Sequence, residues 1–197
     1  MILFLFFSLS ALMAAEPLDS LKANLKKIKT FQAGFIQKKT IISLRHTISA
    51  EGEIALERSG RMAWRVRKPI HYLCLITDNS LTQWDADSGQ MIRLDAKNNP
   101  ALKFLLESMK NYFSGNFAEM EKDFRITLPD QKTIRLVPKQ GTVTANFIEK
   151  LEFTPSPGAE CIDRVVIYEK GGDLTRIEYK NIRINQNIPA EKWKSGN

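Results

Sequence analysis

Apolar and polar residues alternate through residues 48–67, and this alternation predicts two paired β-strands. In residues 48–56 every even position is apolar or glycine, whereas Ser49, Glu51 and Glu53 occupy odd positions. In residues 61–67 arginine occupies positions 61, 65 and 67, and Met62, Trp64 and Val66 alternate with them. A period of two is typical of a strand that buries only one face. The segment therefore predicts a β-hairpin with one apolar and one charged face.

The turn between these strands follows from the requirement that like faces pair. A two-residue turn at 59–60 would set Leu56 against Ala63 and mix the two faces. A three-residue turn at 58–60 instead sets Leu56 against Met62, Ile54 against Trp64 and three glutamates against three arginines (Glu57–Arg61, Glu53–Arg65 and Glu51–Arg67). Gly60 supplies the left-handed residue that such a turn requires. Arg58 is consequently expected in the turn, at the rim of the sheet.

The rest of the chain predicts a helix, strands, a second helix and more strands. Leu18, Leu21, Leu25 and Ile28 recur at helical spacing and predict a helix over residues 17–30. Strands are predicted over residues 31–44, 71–77, 80–85, 90–94, 124–128, 133–138, 147–154, 161–169 and 174–184. Without βαβ alternation the sheet should be antiparallel. The predicted fold class is mainly β (α+β), with one highly curved sheet whose concave apolar side is covered by helices.

Residues 99–114 interrupt the strand pattern and predict the second helix, with Pro100 in its first turn. Its apolar stripe has two interpretations. It is either an ordinary core helix or a lid over a lipid cavity, and the apolar residues of the hairpin would line such a cavity or a solid core equally well. The candidate cavity residues are Leu102, Leu105, Leu106, Met109 and Phe113 in the stripe and Ile54, Leu56, Met62 and Trp64 in the hairpin.

Residues 1–15 carry no charge and end in Ala14 and Ala15, as in a secretory signal peptide that is cleaved on export. The alternative is a membrane anchor, but the run is shorter than the roughly 20 residues that a span requires. The expected organisation is a signal peptide at 1–15 and one domain at 16–197. The net charge of +7 and pI of 9.4 would suggest nucleic acid in a cytoplasmic protein. In an exported protein, an anionic membrane surface or an acidic partner is the better interpretation.

Signals for catalysis and metal binding are weak. His46 and His71 lack the spacing of metal ligands, and no nucleophile elbow or phosphate loop occurs. Residues 85–89 faintly resemble a calcium loop, but Ala96 stands where the later acidic ligand is expected. Cys74 and Cys161 could form a disulfide in an exported protein, or could be two buried free thiols. We therefore expect no enzyme activity, no metal and no cofactor.

The segment 52–64 resembles the signature hairpin of the periplasmic outer-membrane lipoprotein carrier family (LolA). It shares the glycine, the alternating apolar residues, Arg58, and the apolar residue (Met62) followed by Trp64. The similarity extends to residues 31–38 as the first strand, to 77–79 with Trp84, and to 136–139. It covers most of the mature chain. Ser59 replaces the usual proline and Glu57 replaces a basic residue. The sequence also ends soon after Trp193, where typical carriers continue.

The resemblance implies an unclosed β-barrel with helices over its concave face, in a monomer located in the periplasm. It implies that acylated lipoprotein is accepted from an inner-membrane ABC transporter and passed to an outer-membrane receptor. Arg58 then corresponds to the arginine that latches the lid by bonding to its backbone carbonyls, and Met62 to a cavity-facing phenylalanine. The main alternative is a carrier for a non-protein lipid or glycolipid. A secreted hydrolase and a structural module that binds the envelope through its charge are further alternatives.

Overall fold

The computed structural model of the protein describes residues 16–77, 79–99, 116–130 and 132–194. In these residues eleven antiparallel strands form one unclosed sheet, accompanied by two helices. In chain order the elements are helix α1 (Glu16–Leu25), strands β1 (Thr30–Ile41), β2 (His46–Glu57), β3 (Met62–Lys68), β4 (Tyr72–Ile76), β5 (Ser80–Asp85) and β6 (Met91–Asp95), helix α2 (Phe117–Asp123), and strands β7 (Phe124–Asp130), β8 (Thr133–Pro138), β9 (Ile148–Pro155), β10 (Ile162–Glu169) and β11 (Leu174–Ile184).

The strand order shows two meanders joined at their first and last strands. The order is β6-β5-β4-β3-β2-β1-β11-β10-β9-β8-β7, so β1 pairs with β11 at the centre. Strands β6 and β7 are the two edges of the sheet. The predicted mainly β, antiparallel fold is confirmed. The signal peptide predicted at 1–15 and most of the helix predicted at 99–114 lie outside the described residues.

The β2–β3 hairpin adopts the predicted three-residue turn. Leu56 pairs with Met62, Ile54 with Trp64 and Glu53 with Arg65. Gly60 has a φ of 98°, a value that side chains other than glycine rarely adopt. The backbone N–H of residue 57 donates to the carbonyl of residue 61 across the turn, at 2.8 Å. The alternation of apolar residues therefore determined this register correctly.

The expected pairing of Glu51 with Arg67 is wrong. A β-bulge between residues 51 and 52 places Lys68 opposite Glu51. The bulge lies where Gly52 meets its neighbours most closely, since a Cβ there would lie 2.0 Å from the carbonyl oxygen of Arg65. Arg67 donates instead to the Glu53 carboxylate, at 3.2 Å. A bulge of this kind locally increases twist and bends the strand.

The concave side of the sheet carries the main core, and α1 packs into it. Leu21 has no solvent exposure, and Leu25 and Ile28 are buried in the same cluster as Phe35 and Ile54. The helix ends at Leu25, earlier than predicted, and a turn carries Ile28 to the core. The aromatic ring of Phe35 stacks on that of Trp64 with 3.8 Å between centroids. The concave apolar face is thus covered partly by the N-terminal helix.

The convex side carries a second, smaller core that the sequence pattern did not reveal. Ala55, Ala63 and Leu73 point to this side and pack with Ile188 and Trp193 of the C-terminal segment. We call residues 185–194 the C-terminal strap. Its backbone oxygen at residue 194 accepts a 2.8 Å hydrogen bond from the Arg65 guanidinium, which is only 6% exposed. The charged face of the hairpin is therefore partly buried beneath the strap.

Several element boundaries differ from the sequence prediction. Strand β1 ends at Ile41 rather than at residue 44, because a turn at 42–45 closes the hairpin with β2. The seven-residue helix α2 was missed. Asn116 caps its N-terminus, and its buried Phe117 and Met120 face the core. Neither described helix has the length and hydrophobicity that crossing a membrane would require.

Candidate functional site

An apolar cavity lies between α1 and the concave face of the sheet. Its volume is about 240 Å³. Leu25 and Ile28 line the cavity on the side of α1. Phe31, at the beginning of β1, and Leu56, at the end of β2, line it on the side of the sheet. The remaining lining residues come from the C-terminal meander and are Leu151, Phe153, Cys161, Ile162, Val165, Ile167 and Tyr179. Every lining side chain among the described residues is aliphatic, aromatic or a thiol, so the cavity suits a hydrocarbon.

Among the described residues of the cavity wall two side chains are ionisable, and both are held in their neutral forms. Burial raises the pKa of the Tyr179 hydroxyl far above its ordinary value. Burial also raises the pKa of the Cys161 thiol, against a smaller opposing effect of its hydrogen bond with Ser156. The Tyr179 ring meets that of Phe31 edge-on at 5.6 Å. At neutral pH the described wall therefore carries no charge.

The structure places the candidate hairpin residues in one cluster on the concave side. All four belong to the main core cluster, and of these four it is Leu56 that lines the cavity. Leu102, Leu105, Leu106, Met109 and Phe113 lie outside the described residues. The lipid-binding role assigned to all nine residues remains a prediction.

Sequence reasoning missed the part of the wall that β9 and β10 provide. Leu151 and Phe153 alternate along β9, and Val165 and Ile167 alternate along β10. The alternation in residues 147–154 and 161–169 is visible in the sequence, and it predicted strands. It could not show that these two faces meet α1, because the contacts join residues more than 120 positions apart.

Arg58 lies in the turn at the rim of the sheet, as predicted, and it binds the end of α1. Its Nε donates to the carbonyl oxygen of Ile28 at 2.8 Å, and its Nη2 donates to that of Leu25 at 2.9 Å. The backbone N–H of Arg58 also donates to the carbonyl of residue 29, at 2.8 Å. The last carbonyls of a helix lack partners within the helix, and a cation near them is stabilising. Arg58 therefore fixes the end of α1 to the β2–β3 turn.

The residues considered for catalysis or metal binding form ordinary turn contacts. The Asp85 carboxylate accepts the backbone N–H groups of residues 87 and 88, which explains the loop at 85–89. His71 contacts the exposed Asp87 carboxylate at 3.0 Å, and hydrogen bonds from the backbone and ring of His71 lower the pKa of Asp87. Within the described ranges, no group of three or more His, Cys, Asp or Glu residues could hold a metal ion.

Both cysteines are buried free thiols, which is one of the two alternatives left open by the sequence. Cys74 faces the concave core from β4, and burial raises its pKa to about 11. A thiol with so high a pKa is a poor nucleophile at neutral pH. Cys74 therefore contributes to packing.

Comparison with known proteins gives a consistent relationship. A family model described as "Outer membrane lipoprotein carrier protein LolA" matches residues 26–195. An outer-membrane lipoprotein carrier protein of Pseudomonas entomophila is 24% identical over 172 residues, covering 86% of this chain and 79% of the relative. Its counterpart in Cupriavidus pinatubonensis is 27% identical over 177 residues, covering 87% of this chain and 73% of the relative.

Solved structures with low sequence identity share the fold. A LolA superfamily protein from Nitrosomonas europaea is 11% identical and has a TM-score of 0.50, with 90% of this chain and 97% of that chain covered. An uncharacterised conserved protein from Thermus thermophilus is 14% identical with a TM-score of 0.53, covering 93% of this chain and 94% of that chain. At such identities the likeness extends to the fold alone.

Proposed function

This chain belongs to the outer-membrane lipoprotein carrier (LolA) family, and on that premise we propose that it is a periplasmic carrier rather than an enzyme. It binds the acyl chains of a lipoprotein in the cavity beneath α1 and shuttles them from the inner to the outer membrane. The curated relatives are named outer-membrane lipoprotein carrier proteins. The described part of the cavity wall supports this proposal, since it is uncharged and offers contacts to hydrocarbon.

One observation carries the proposal. Arg58 donates hydrogen bonds to the backbone carbonyls of Leu25 and Ile28. The side chains of these same two residues line the cavity. The same contacts that fix the end of α1 therefore fix one wall of the cavity. If the Arg58 bonds open, that wall is free to move away from the sheet.

Such movement is needed because the cavity is small. Its volume of about 240 Å³ lies below the range of roughly 300–1,000 Å³ found for sites of drug-sized ligands. Each methylene group removed from water contributes about 0.8 kcal/mol, so burying several acyl carbons outweighs a few hydrogen bonds. We infer that the Arg58 bonds stabilise the empty, closed state and break when cargo enters. The segment predicted as a lid, 102–113, lies outside the described residues, and we propose that it covers the bound acyl chains.

The proposed transport cycle needs a donor and an acceptor. We propose that the chain, as a monomer in the periplasm after cleavage of residues 1–15, takes cargo from an inner-membrane ABC transporter and releases it to an outer-membrane receptor. Release remains feasible because reforming the Arg58 bonds opposes cargo burial. A carrier for a non-protein lipid would use the same cavity, since the cavity wall contacts only the hydrocarbon.

The proposal is tested by identifying the molecule that the protein carries. The mature protein is purified from the periplasm of a Gram-negative host and examined by native mass spectrometry, before and after incubation with a synthetic triacylated lipopeptide. We expect a mass increase that corresponds to a lipoprotein or the lipopeptide. A bound glycolipid or phospholipid would favour the alternative cargo, and a clean mass after incubation would refute the carrier function.

A pair of variants locates the bound molecule. Val165 and Leu75 are both half-buried strand residues, but Val165 lines the cavity whereas Leu75 packs against the convex core. Val165→Lys should abolish lipopeptide binding, because it places a charge against the acyl chains. Leu75→Lys is the matched control and should retain binding. Equal binding by both variants would contradict the cavity assignment.

A further inference from the structure

Two loops at one end of the sheet expose large apolar side chains. Ile42 and Leu44 lie in the β1–β2 turn and are 57% and 67% exposed. Val143 and Phe147 lie in the β8–β9 connection and are 55% and 66% exposed. We call these four residues the loop-tip patch. Isolated exposed apolar residues are common, but large aliphatic and aromatic side chains gathered at loop tips mark an interaction surface.

Direct contacts with the β10–β11 turn hold the two loops together. The backbone N–H of Ile42 donates to the Asp173 carboxylate at 3.0 Å. The backbone N–H of Lys170 donates to the carbonyl of Phe147 at 2.8 Å. The Ile42 side chain lies 3.6 Å from the position that a Cβ on Gly172 would occupy. The loop-tip patch is therefore a single surface across three neighbouring hairpin ends.

Positive charge is concentrated around this surface. Segments 38–48, 139–150 and 168–176 contain seven Lys or Arg and three Asp or Glu, a net charge of +4 out of +7 for the whole chain. Two of the three acidic groups are engaged locally, since Lys39 pairs with Glu169 at 2.9 Å and with Asp173 at 4.0 Å. The basic residues are Lys38, Lys39, Arg45, Lys139, Lys150, Lys170 and Arg176. Lys39 is engaged in the pairs just described, and Lys150 pairs with Glu152 at 3.1 Å.

We propose that the loop-tip patch docks on an anionic lipid bilayer surface. Apolar side chains surrounded by Lys and Arg match the boundary between acyl chains and negatively charged headgroups. An apolar partner protein would not account for the surrounding positive charge. A nucleic acid would not account for the exposed phenylalanine, isoleucine and leucine at the centre. The combination favours reversible docking, because four side chains are far fewer than a membrane-spanning segment provides.

The loop-tip patch lies at the opposite end of β1 from the Arg58 contacts that fix the cavity wall. Strand β1 runs from Thr30, beside the Arg58 contacts, to Ile41, beside the loop-tip patch. At about 3.4 Å per residue its twelve residues span roughly 37 Å. The patch can therefore be altered without touching Arg58 or the residues that line the cavity. It would hold the empty protein at a bilayer while the opposite end is free to open.

The test is co-sedimentation of the mature, cargo-free protein with vesicles of phosphatidylcholine alone or mixed with phosphatidylglycerol. We expect binding to the mixed vesicles only, and weaker binding as salt is raised, because salt screens the basic residues. Leu44→Ser with Phe147→Ser should lower the partition coefficient at least tenfold. The matched control is Met91→Ser with Ile92→Ser, which alters two exposed apolar residues on the edge strand β6 and should leave binding unchanged.

Charge reversal provides a second measurement that does not depend on apolar contacts. Arg45→Glu with Lys170→Glu should abolish binding to anionic vesicles, whereas Lys97→Glu with Lys132→Glu should reduce it only slightly. No binding to mixed vesicles would overturn the proposal, as would equal losses from patch and control variants. A dimer that the patch substitutions dissociate, without any vesicle binding, would instead identify a second copy of this chain as the occupant. These results do not depend on lipopeptide binding, so they stand or fall separately from the carrier function.

Discussion

Replacing Arg58 by leucine should change the stability of the empty, closed protein but not that of the loaded protein. The guanidinium makes two hydrogen bonds to backbone carbonyls at the end of α1, at 2.8 and 2.9 Å. Hydrogen bonds to charged groups contribute about 1.5–3 kcal/mol each. Both hydrogen bonds of Arg58 are partly exposed to solvent. After the substitution the Leu25 carbonyl still accepts a 3.2 Å hydrogen bond from the backbone N–H of residue 28. We therefore expect Arg58→Leu to destabilise the empty protein by about 2–3 kcal/mol.

The loaded protein should respond differently, because the proposal states that these bonds are already broken there. The substitution then raises the free energy of the empty state only. Cargo affinity increases by the same 2–3 kcal/mol, which is about 30- to 150-fold. In thermal unfolding, the empty variant should melt about 5–10 °C lower, given roughly 2–4 °C per kcal/mol for a domain of this size.

The assay measures urea unfolding of the empty and lipopeptide-loaded forms, together with binding of the lipopeptide to the empty protein. Arg61→Leu is the matched control, since it makes the same substitution in the same hairpin. The Arg61 guanidinium lies 4.1 Å from the ring centre of Trp193, on the convex side. Losing this contact should cost about 1 kcal/mol or less in both forms. Arg58→Lys should fall between wild type and Arg58→Leu, since one ammonium group does not reproduce the two-pronged contact.

Two results would refute this reasoning. If Arg58→Leu destabilises the empty and loaded forms equally, the bonds persist on loading and Arg58 is merely structural. If the variant binds and releases lipopeptide like wild type, the latch does not exist. Weaker binding by Arg58→Leu would also contradict it, because the proposal requires tighter binding.

Three further predictions concern other parts of the structure. Gly52→Ala should destabilise the protein by about 3 kcal/mol in urea unfolding, because the new Cβ would lie 2.0 Å from a backbone oxygen of β3. In the control Gly34→Ala, the new Cβ meets atoms no closer than 3.7 Å, and stability should change by less than about 1 kcal/mol. Similar losses for both variants would show that the close contact is not responsible. With a pKa of about 11, the Cys74 side chain is about one-thousandth thiolate at pH 8 in the native protein, so it should react with iodoacetamide only after denaturation. Labelling is followed by mass spectrometry, and rapid labelling of Cys74 in the native protein would disprove its burial. Burial raises the pKa of Glu53, but the hydrogen bond and charge of Lys192 and the charge of Arg67 lower it more, so the net pKa lies below its ordinary value. A lowered carboxyl pKa adds stability above about pH 4.5 that is lost as pH falls through the native pKa, so wild type should lose more stability than Glu53→Gln between pH 5 and pH 3, and parallel curves would exclude this contribution.

The sequence by itself determined the features that depend on neighbouring residues. Alternation through 48–67 and one glycine were sufficient for the turn at 58–60 and for the pairing of Ile54 with Trp64, since a shift of one residue would have reversed every face. The same local pattern placed Arg58 at the rim. The hairpin motif also led to the LolA family, which the family model confirmed over residues 26–195.

Only the tertiary structure decided which surfaces meet. The bulge that replaced Glu51–Arg67 with Glu51–Lys68 occurs where Gly52 approaches the backbone of β3 beneath the ring of Phe35, a residue of another strand. The cavity needs α1 and strands from both meanders, and burial of Arg65 needs the C-terminal strap. Alternation shows that a strand has an apolar face. Alternation gives no information about contacts between residues more than a hundred positions apart, and those contacts define the site.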